Sequence, residues 1–286
     1  MTAKQMKDLL NNMSKKTGVN VQILQRNFML ERLLERISLS EYKDNFILKG
    51  GMLVAAMVGI DSRSTMDLDA SIRNLTLSLE NIQFIFQSIV SIDIGDDVIM
   101  KIKEVSEIRE EFEYSCFRIA LTAQNDTTVI PMKVDISTGD IITPREVSYK
   151  FDLLLENRTI EIWAYNLETV LAEKMETIIS RDIANTRMRD FYDIYILEKT
   201  RSADINRNIL KNAIERTADK RGTDIEYSTL ERNLIYLFSN EGLKKLWKNY
   251  QKRFTYSKDI EWKQVKEVIV NLFVGINEIG VKEDGD

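Results

Sequence analysis

The sequence predicts an α/β (α+β) fold in which a strand-bearing first half gives way to a helical second half. Three observations carry that expectation. Strand-like alternation is confined to the stretch between residues 45 and 137. Helical spacing of apolar residues dominates after about residue 150. Only two prolines, Pro131 and Pro144, interrupt the 286 residues, which leaves long helices intact.

The elements follow in order. Met6, Leu9, Leu10 and Met13 sit at helical spacing, and a second helix is expected over Val19–Ile37 with Ile23, Leu30, Leu33, Leu34 and Ile37 on its apolar side. Residues 45–49 read as a short strand broken by Gly50-Gly51, and 52–58 as an apolar helix. Residues 66–72 alternate as a strand does, and 80–90 read as a helix. Tyr114–Ala123 and Thr128–Ser137 read as a hairpin around Gln124-Asn125-Asp126. Helices are then expected over 167–180, 190–199, 205–216, 227–238, 241–250 and 262–276. A soft boundary falls near 150–165. The chain thus divides into N-terminal helices over 1–40 packing on a core over 41–160, followed by a helical domain over 161–286.

Composition excludes several chemistries. Hydrophobic residues make up 44% and charged residues 30%, as in a soluble globular chain. No apolar run approaches the roughly 20 residues of a membrane span, and residues 1–16 read as an amphipathic helix without a signal-peptide core. The single cysteine, Cys116, cannot form an intramolecular disulfide and fits a reducing compartment such as the cytoplasm. There is no histidine, so Ser-His-Asp catalysis, Cys-His catalysis and His-ligated zinc are all ruled out. Any metal must take oxygen ligands, which points to Mg²⁺ or Mn²⁺. A net charge of −5 argues against a general nucleic-acid binder, but not against local basic patches.

The chemistry concentrates around residues 50–70. On a strand, residues i and i+2 share a face, so Asp67 and Asp69 project together while Leu68 and Ala70 face the core. Two like charges side by side repel, and a hard divalent cation between them relieves that repulsion. Asp135, between Val134 and Ile136, is placed to supply a third carboxylate to a site acting on phosphorus. Glycines at 50 and 51 let backbone N–H groups approach phosphate, and Arg63, Ser64 and Thr65 offer further donors. A solvated acidic pair on an exposed strand is the plain alternative for a bare Asp-x-Asp.

Two more motifs lie in the helical half. Asn166 is a good N-cap for 167–180, and Lys174 falls in the apolar stripe of Leu167, Val170, Leu171 and Ile178, with Glu173 and Glu176 on the other face. Such a lysine either snorkels from a core edge or points at a partner in a pocket. Arg187, Arg189, Asp190 and Asp193 open the next helix. They read either as a capped helix with an Arg189–Asp193 pair, or as Arg189 on phosphate with Asp190 or Asp193 orienting Lys174 or a hydroxyl.

Together, the blocks at 46–53, 63–69, 132–136, 171–174 and 187–194 resemble the AbiEii/AbiGii toxin family, the nucleotidyltransferase-like toxins of type IV toxin–antitoxin and abortive-infection systems. The resemblance spans about residues 20–200. It implies a polymerase-β-like nucleotidyltransferase core with a mixed sheet and a helical C-terminal domain. It also implies Mg²⁺, an NTP donor (GTP or a pyrimidine nucleotide), a tRNA acceptor and a separately encoded antitoxin. By position, Asp67 and Asp69 match the metal-binding aspartates and Lys174 the essential lysine. Asp190 matches the last acidic position, with Asp193 as the competing match. Met52 stands where family members often carry a hydroxyl.

Other classes stay open on sequence alone. An aminoglycoside-type nucleotidyltransferase shares the first motif, and an NTP-binding module without turnover would share the fold. Residues 244–253 interleave lysines with Trp247 and Tyr250, a pattern that could contact RNA by phosphate pairing and base stacking, or simply mark a solvated helix face. Lys199, Arg201, Arg207 and Lys211 form a second basic run.

Overall fold

In the computed structural model, which describes residues 1–109 and 115–281, the chain forms two compact units. The first comprises 1–140 and 146–165, and the second comprises 141–145 and 166–286.

In the first unit, α1 (Ala3–Thr17) and α2 (Val21–Leu39) precede β1 (Phe46–Lys49), α3 (Gly50–Val58), β2 (Leu68–Ile72) and α4 (Leu79–Val90). Then come β3 (Ile99–Arg109), β4 (Ser115–Asn125), β5 (Thr128–Thr138), β6 (Val147–Asp152) and β7 (Thr159–Ala164). The strands form one mixed sheet of order β3-β4-β5-β2-β1-β7-β6. The β2–β5 and β1–β7 pairs are parallel and the others antiparallel. The 114–123 and 128–137 segments do form a hairpin, turning at Asp126 with φ 55°; Tyr114 lies outside the described residues.

Three strands were not anticipated. β3 carries Lys101, Lys103, Glu104 and Glu107 along an edge, the charging that keeps an edge from pairing with other chains and blurs strand alternation. β6 and β7 are six residues each and fall where strand signals were read as fading. Their apolar faces are short: Phe151 on one, Ile160, Ile162 and Ala164 on the other.

One sheet face is apolar. Leu34 and Ile37 of α2 meet Phe46, Leu48, Leu68 and Ala70 around a small cavity there. From residue 27 to 37 α2 is buried all round, polar residues included. Leu24 is buried where Ile23 was expected, and Ile23 is half-buried. Arg36 grips both oxygens of Asp96 at 2.9 and 2.8 Å, and Arg158 grips Glu35 at 2.5 and 2.9 Å. Glu31 accepts the Leu154 N–H at 3.0 Å.

Burial pushes the Glu31 carboxyl up to about 8. The folded state therefore holds a proton that the unfolded chain releases near 4.5. Stability attributable to this group is greatest below that value and falls as pH rises toward 8. Glu31→Gln is expected to flatten that decline, which spans a few kcal/mol at most. Urea midpoints of both proteins at pH 5 and pH 8 check it. An equal decline in the variant would assign the pH dependence elsewhere.

The second unit is helical: α5 (Leu167–Arg181), α6 (Met188–Arg201), α7 (Arg207–Arg221), α8 (Tyr227–Ser239), α9 (Glu241–Arg253) and α10 (Trp262–Val281). Asn166 caps α5 as its sequence suggests, accepting the Thr169 N–H at 2.7 Å. Its amide donates to the Thr143 and Arg145 carbonyls at 2.8 Å, which ties 141–145 to this unit. The core joins Leu171, Met175 and Ile178 to Leu210, Ile214 and an aromatic cluster around Phe191, Phe238 and Trp262. Among the described residues, no helix is long and apolar enough to cross a membrane.

Candidate active site

The sheet face opposite the apolar one carries a row of charge. Strand register sets it: Arg118 on β4 lies opposite Asp135 on β5, Asp135 opposite Asp69 on β2, and Asp69 opposite Lys49 on β1. Four adjacent strands thus place cation, carboxylate, carboxylate and cation side by side. Asp67 precedes β2 by one residue and is half-buried, as Asp69 is.

Arg118, Asp135 and Lys49 each have a fixed ion-pair partner. Arg118 donates from Nε and Nη2 to the two oxygens of Asp135 at 2.8 and 2.7 Å. Lys49 Nζ lies 2.8 Å from Asp140, which also accepts from the Ser137 hydroxyl at 2.5 Å. Burial alone would raise the Asp140 carboxyl, but Lys49 and the hydroxyls of Ser137 and Ser71 outweigh it and hold it at about 2. Asp69 moves the other way. Burial pushes its carboxyl up, and the charges of Asp135 and Asp67 add to the push. Lys49 and the Gly51 N–H oppose it.

The glycine pair is explained by this row. Gly50 has φ +67°, and a Cβ there would lie 2.8 Å from the Asp69 Cβ and still nearer its carboxylate. Only glycine lets β1 turn into α3 over that side chain. A Cβ on Gly51 would lie 2.8 Å from Thr65 Oγ1 and 3.1 Å from Arg63 Nη2. Arg63, Ser64 and Thr65 are all buried, so they shape the loop beneath the turn instead of presenting donors to solvent. Arg63 donates to the Ser64 carbonyl and Thr65 to that of Asp67, while Asn27 of α2 holds the Thr65 carbonyl at 2.7 Å.

The residues fit a divalent cation by the chemistry of their donor set. Asp67 and Asp69 are hard oxygen donors two residues apart, and Asp69 suffers repulsion that a cation would relieve. Among the described residues no group of three carboxylates is gathered as a ready cage. Asp135, expected as a third ligand, has both oxygens on Arg118.

The second unit holds a separate cluster. Lys174 Nζ lies 2.7 Å from Asp193 and 3.4 Å from Asp190, and both carboxylates are buried. Aspartates at i and i+3 on α6 present one face, so a single ammonium meets both. Arg187 Nε stands 3.0 Å from the other Asp190 oxygen. The lysine therefore points at partners and does not snorkel.

Two expectations fail here. Arg189 does not pair with Asp193, because Arg189 faces solvent while Asp193 turns inward to Lys174. Glu176 does not lie on an outer face. It is fully buried, held by Arg221 at 2.5 Å and Thr223 at 2.6 Å, and Arg221 also reaches Glu173. The 244–253 reading fails in part as well. Trp247 and Tyr250 are buried, with Trp247 Nε1 donating to the Ile260 carbonyl, so neither can stack on a base. In the other basic run, Arg201 and Arg207 are matched by Asp204 and Glu198.

Sequence reasoning missed Lys49, Arg118, Asp140 and Asn27. Arg118 left a signal, a cation between Phe117 and Ile119 in an apolar strand.

The fold and these clusters can now be set against known proteins. Residues 32–268 match the nucleotidyl transferase AbiEii toxins of type IV toxin–antitoxin systems. The chain belongs to this family. No curated protein matches it. Among solved structures, this AbiEii chain is similar to JHP933 from Helicobacter pylori. The TM-score is 0.56 and the identity 13%, over 93% of this chain and 96% of that one. It is also similar to an H. pylori protein described as a nucleotidyltransferase, with a TM-score of 0.52 and 13% identity over 92% and 98% of the two chains. At such identity the likeness speaks to the fold alone, which is that of a mixed sheet followed by helices.

Proposed function

We propose that this AbiEii chain transfers a nucleoside monophosphate from an NTP to an RNA hydroxyl. The tRNA 3′ end is the expected acceptor. The result would be growth arrest and abortive infection of phage, neutralised by a separately encoded antitoxin. The observation that carries the reading is the acidic pair Asp67 and Asp69, whose second member lies under the glycine turn in register with Asp135 and Lys49.

Asp67 and Asp69 would hold Mg²⁺, or Mn²⁺ in its place. Bound there, the ion supplies charge stabilisation to a phosphoryl group in displacement. The chain's own residues set the stage. Lys49, fixed by Asp140, opposes the rise in the Asp69 carboxyl and so favours the ionised donor. Gly50 gives Asp69 its room, and the Gly51 N–H holds the carboxylate in one orientation. Asn27 anchors the loop that delivers Asp67. Lys174 is the lysine on which turnover depends. Asp193 and Asp190 hold its ammonium in place at 2.7 and 3.4 Å, and a charge already fixed in place lowers a barrier without reorganising.

Purified chain, Mg²⁺, each α-labelled NTP and total cellular RNA form the test, with Asp67→Asn and Lys174→Ala beside the native protein. Label on small RNA is expected with the native chain, falling by at least about 10²-fold in each variant. Full transfer by Asp67→Asn would sink the proposal. Label on an aminoglycoside but on no RNA would move the acceptor to small molecules.

A further inference from the structure

We infer that the carboxylate row binds a single divalent cation, because Arg118 occupies on Asp135 the place a second would need. The inference rests on reading this face as the transferase site.

Arg118 engages Asp135 through its side-on fork. Nε and Nη2 take one carboxylate oxygen each, at 2.8 and 2.7 Å, from a directly opposed position on the neighbouring strand. The guanidinium stays charged at any ordinary pH. It is also drawn to this face by Asp67 and Asp69, after Asp135 itself. Arg118 is two-fifths exposed and Asp135 one-quarter, so the pair lies open to solvent at the row's end, where an ion would otherwise reach the carboxylate.

Charge balance leads to the same stoichiometry. The row and its immediate partners hold four carboxylates, Asp67, Asp69, Asp135 and Asp140, and two cations, Arg118 and Lys49. Asp135 is matched by Arg118, and Asp140 by Lys49. Two negative charges remain, on Asp67 and Asp69, and one divalent ion balances them. A second ion would have to displace a bidentate guanidinium and leave the face net positive. Asp135 is then a positioning residue. With Arg118 it closes one end of the row and directs the ion to the Asp67–Asp69 pair.

The test counts ions on the full chain without nucleotide, following the electron paramagnetic resonance signal of free Mn²⁺ during titration. One Mn²⁺ per native chain is expected, lost in Asp67→Asn. Arg118→Gln is expected to bind a second ion, and Arg118→Gln with Asp135→Asn to return to one. Arg118→Met is an independent neutral variant, and thermal melts report that each protein is folded. Two ions on the native chain, or only one on both neutral variants, would overturn the inference while leaving the site reading in place. Mn²⁺ binding that Asp67→Asn does not change, or no binding at all, would overturn both.

Discussion

Gly50→Ala is expected to disable the site while Gly51→Ala largely spares it, although the two glycines are adjacent. Gly50 sits at φ +67°, a conformation that costs an ordinary residue about 1–3 kcal/mol. Its added methyl would also overlap the Asp69 carboxylate and stand 2.8 Å from the Asp69 Cβ, an atom fixed to the strand backbone. That side chain cannot swing aside without leaving the row, since Gly51 N–H and Lys49 hold its present place. A displacement of about 1 Å in a reacting group can cost 10²-fold in rate. Gly50→Ala should therefore lower transfer by about that factor or more and weaken Mn²⁺ binding, beyond its effect on stability. At Gly51 no left-handed φ adds to the cost. The added methyl would meet Thr65 Oγ1 at 2.8 Å, so that hydroxyl must turn aside and give up its bond to the Asp67 carbonyl. The far end of Arg63 at 3.1 Å need give only slightly, and neither shift displaces Asp69 itself. Melting temperature, Mn²⁺ affinity and single-turnover transfer for both variants make the comparison. If Gly50→Ala loses stability but keeps native Mn²⁺ affinity and rate, the close approach is structural and Asp69 is not where the reaction occurs.

The glycine pair shows how much the sequence disclosed and why it stopped. Its place before an acidic pair pointed to the site, and alternation put Asp67 and Asp69 on one face. The reason for the glycines was out of reach, because it depends on Asp69 lying across from Lys49 in another strand. Arg118 was hidden for the same reason. Its partner is 17 residues away, and pairing of that kind is fixed by register, which a linear pattern does not carry. Local signals fared better. The Asn166 cap, the 128–138 strand and the helical second half all follow from spacing along one element. Edge strands fared worst: β3 and β6 lie at the two edges of the sheet, where charged and polar side chains dilute the alternation. In α9 the interleaving of lysines with Trp247 and Tyr250 was compatible with a stacking surface and with a buried aromatic stripe. Helical phase alone could not choose between them.

Lys174 raises the same question in energetic form, since a residue in a buried ion cluster can be essential through stability alone. Asp193 is fully buried and Lys174 nearly so. Removing one member leaves an uncompensated charge inside, which typically costs 3–5 kcal/mol. Lys174→Met takes the ammonium away from buried Asp193 and leaves Asp190 with Arg187 at 3.0 Å, and Asp193→Leu leaves the ammonium with Asp190 at 3.4 Å. Both single variants should melt well below the native protein, so their loss of transfer would by itself decide nothing. The double variant Lys174→Met with Asp193→Leu removes both charges and fills the space with apolar atoms, an exchange that is often neutral or stabilising. It should recover most of the lost stability. If Lys174 acts in the reaction, transfer stays at least about 10²-fold below native in this refolded background. If transfer returns with the melting temperature, the cluster is a strut between α5 and α6, and the lysine has no part in chemistry.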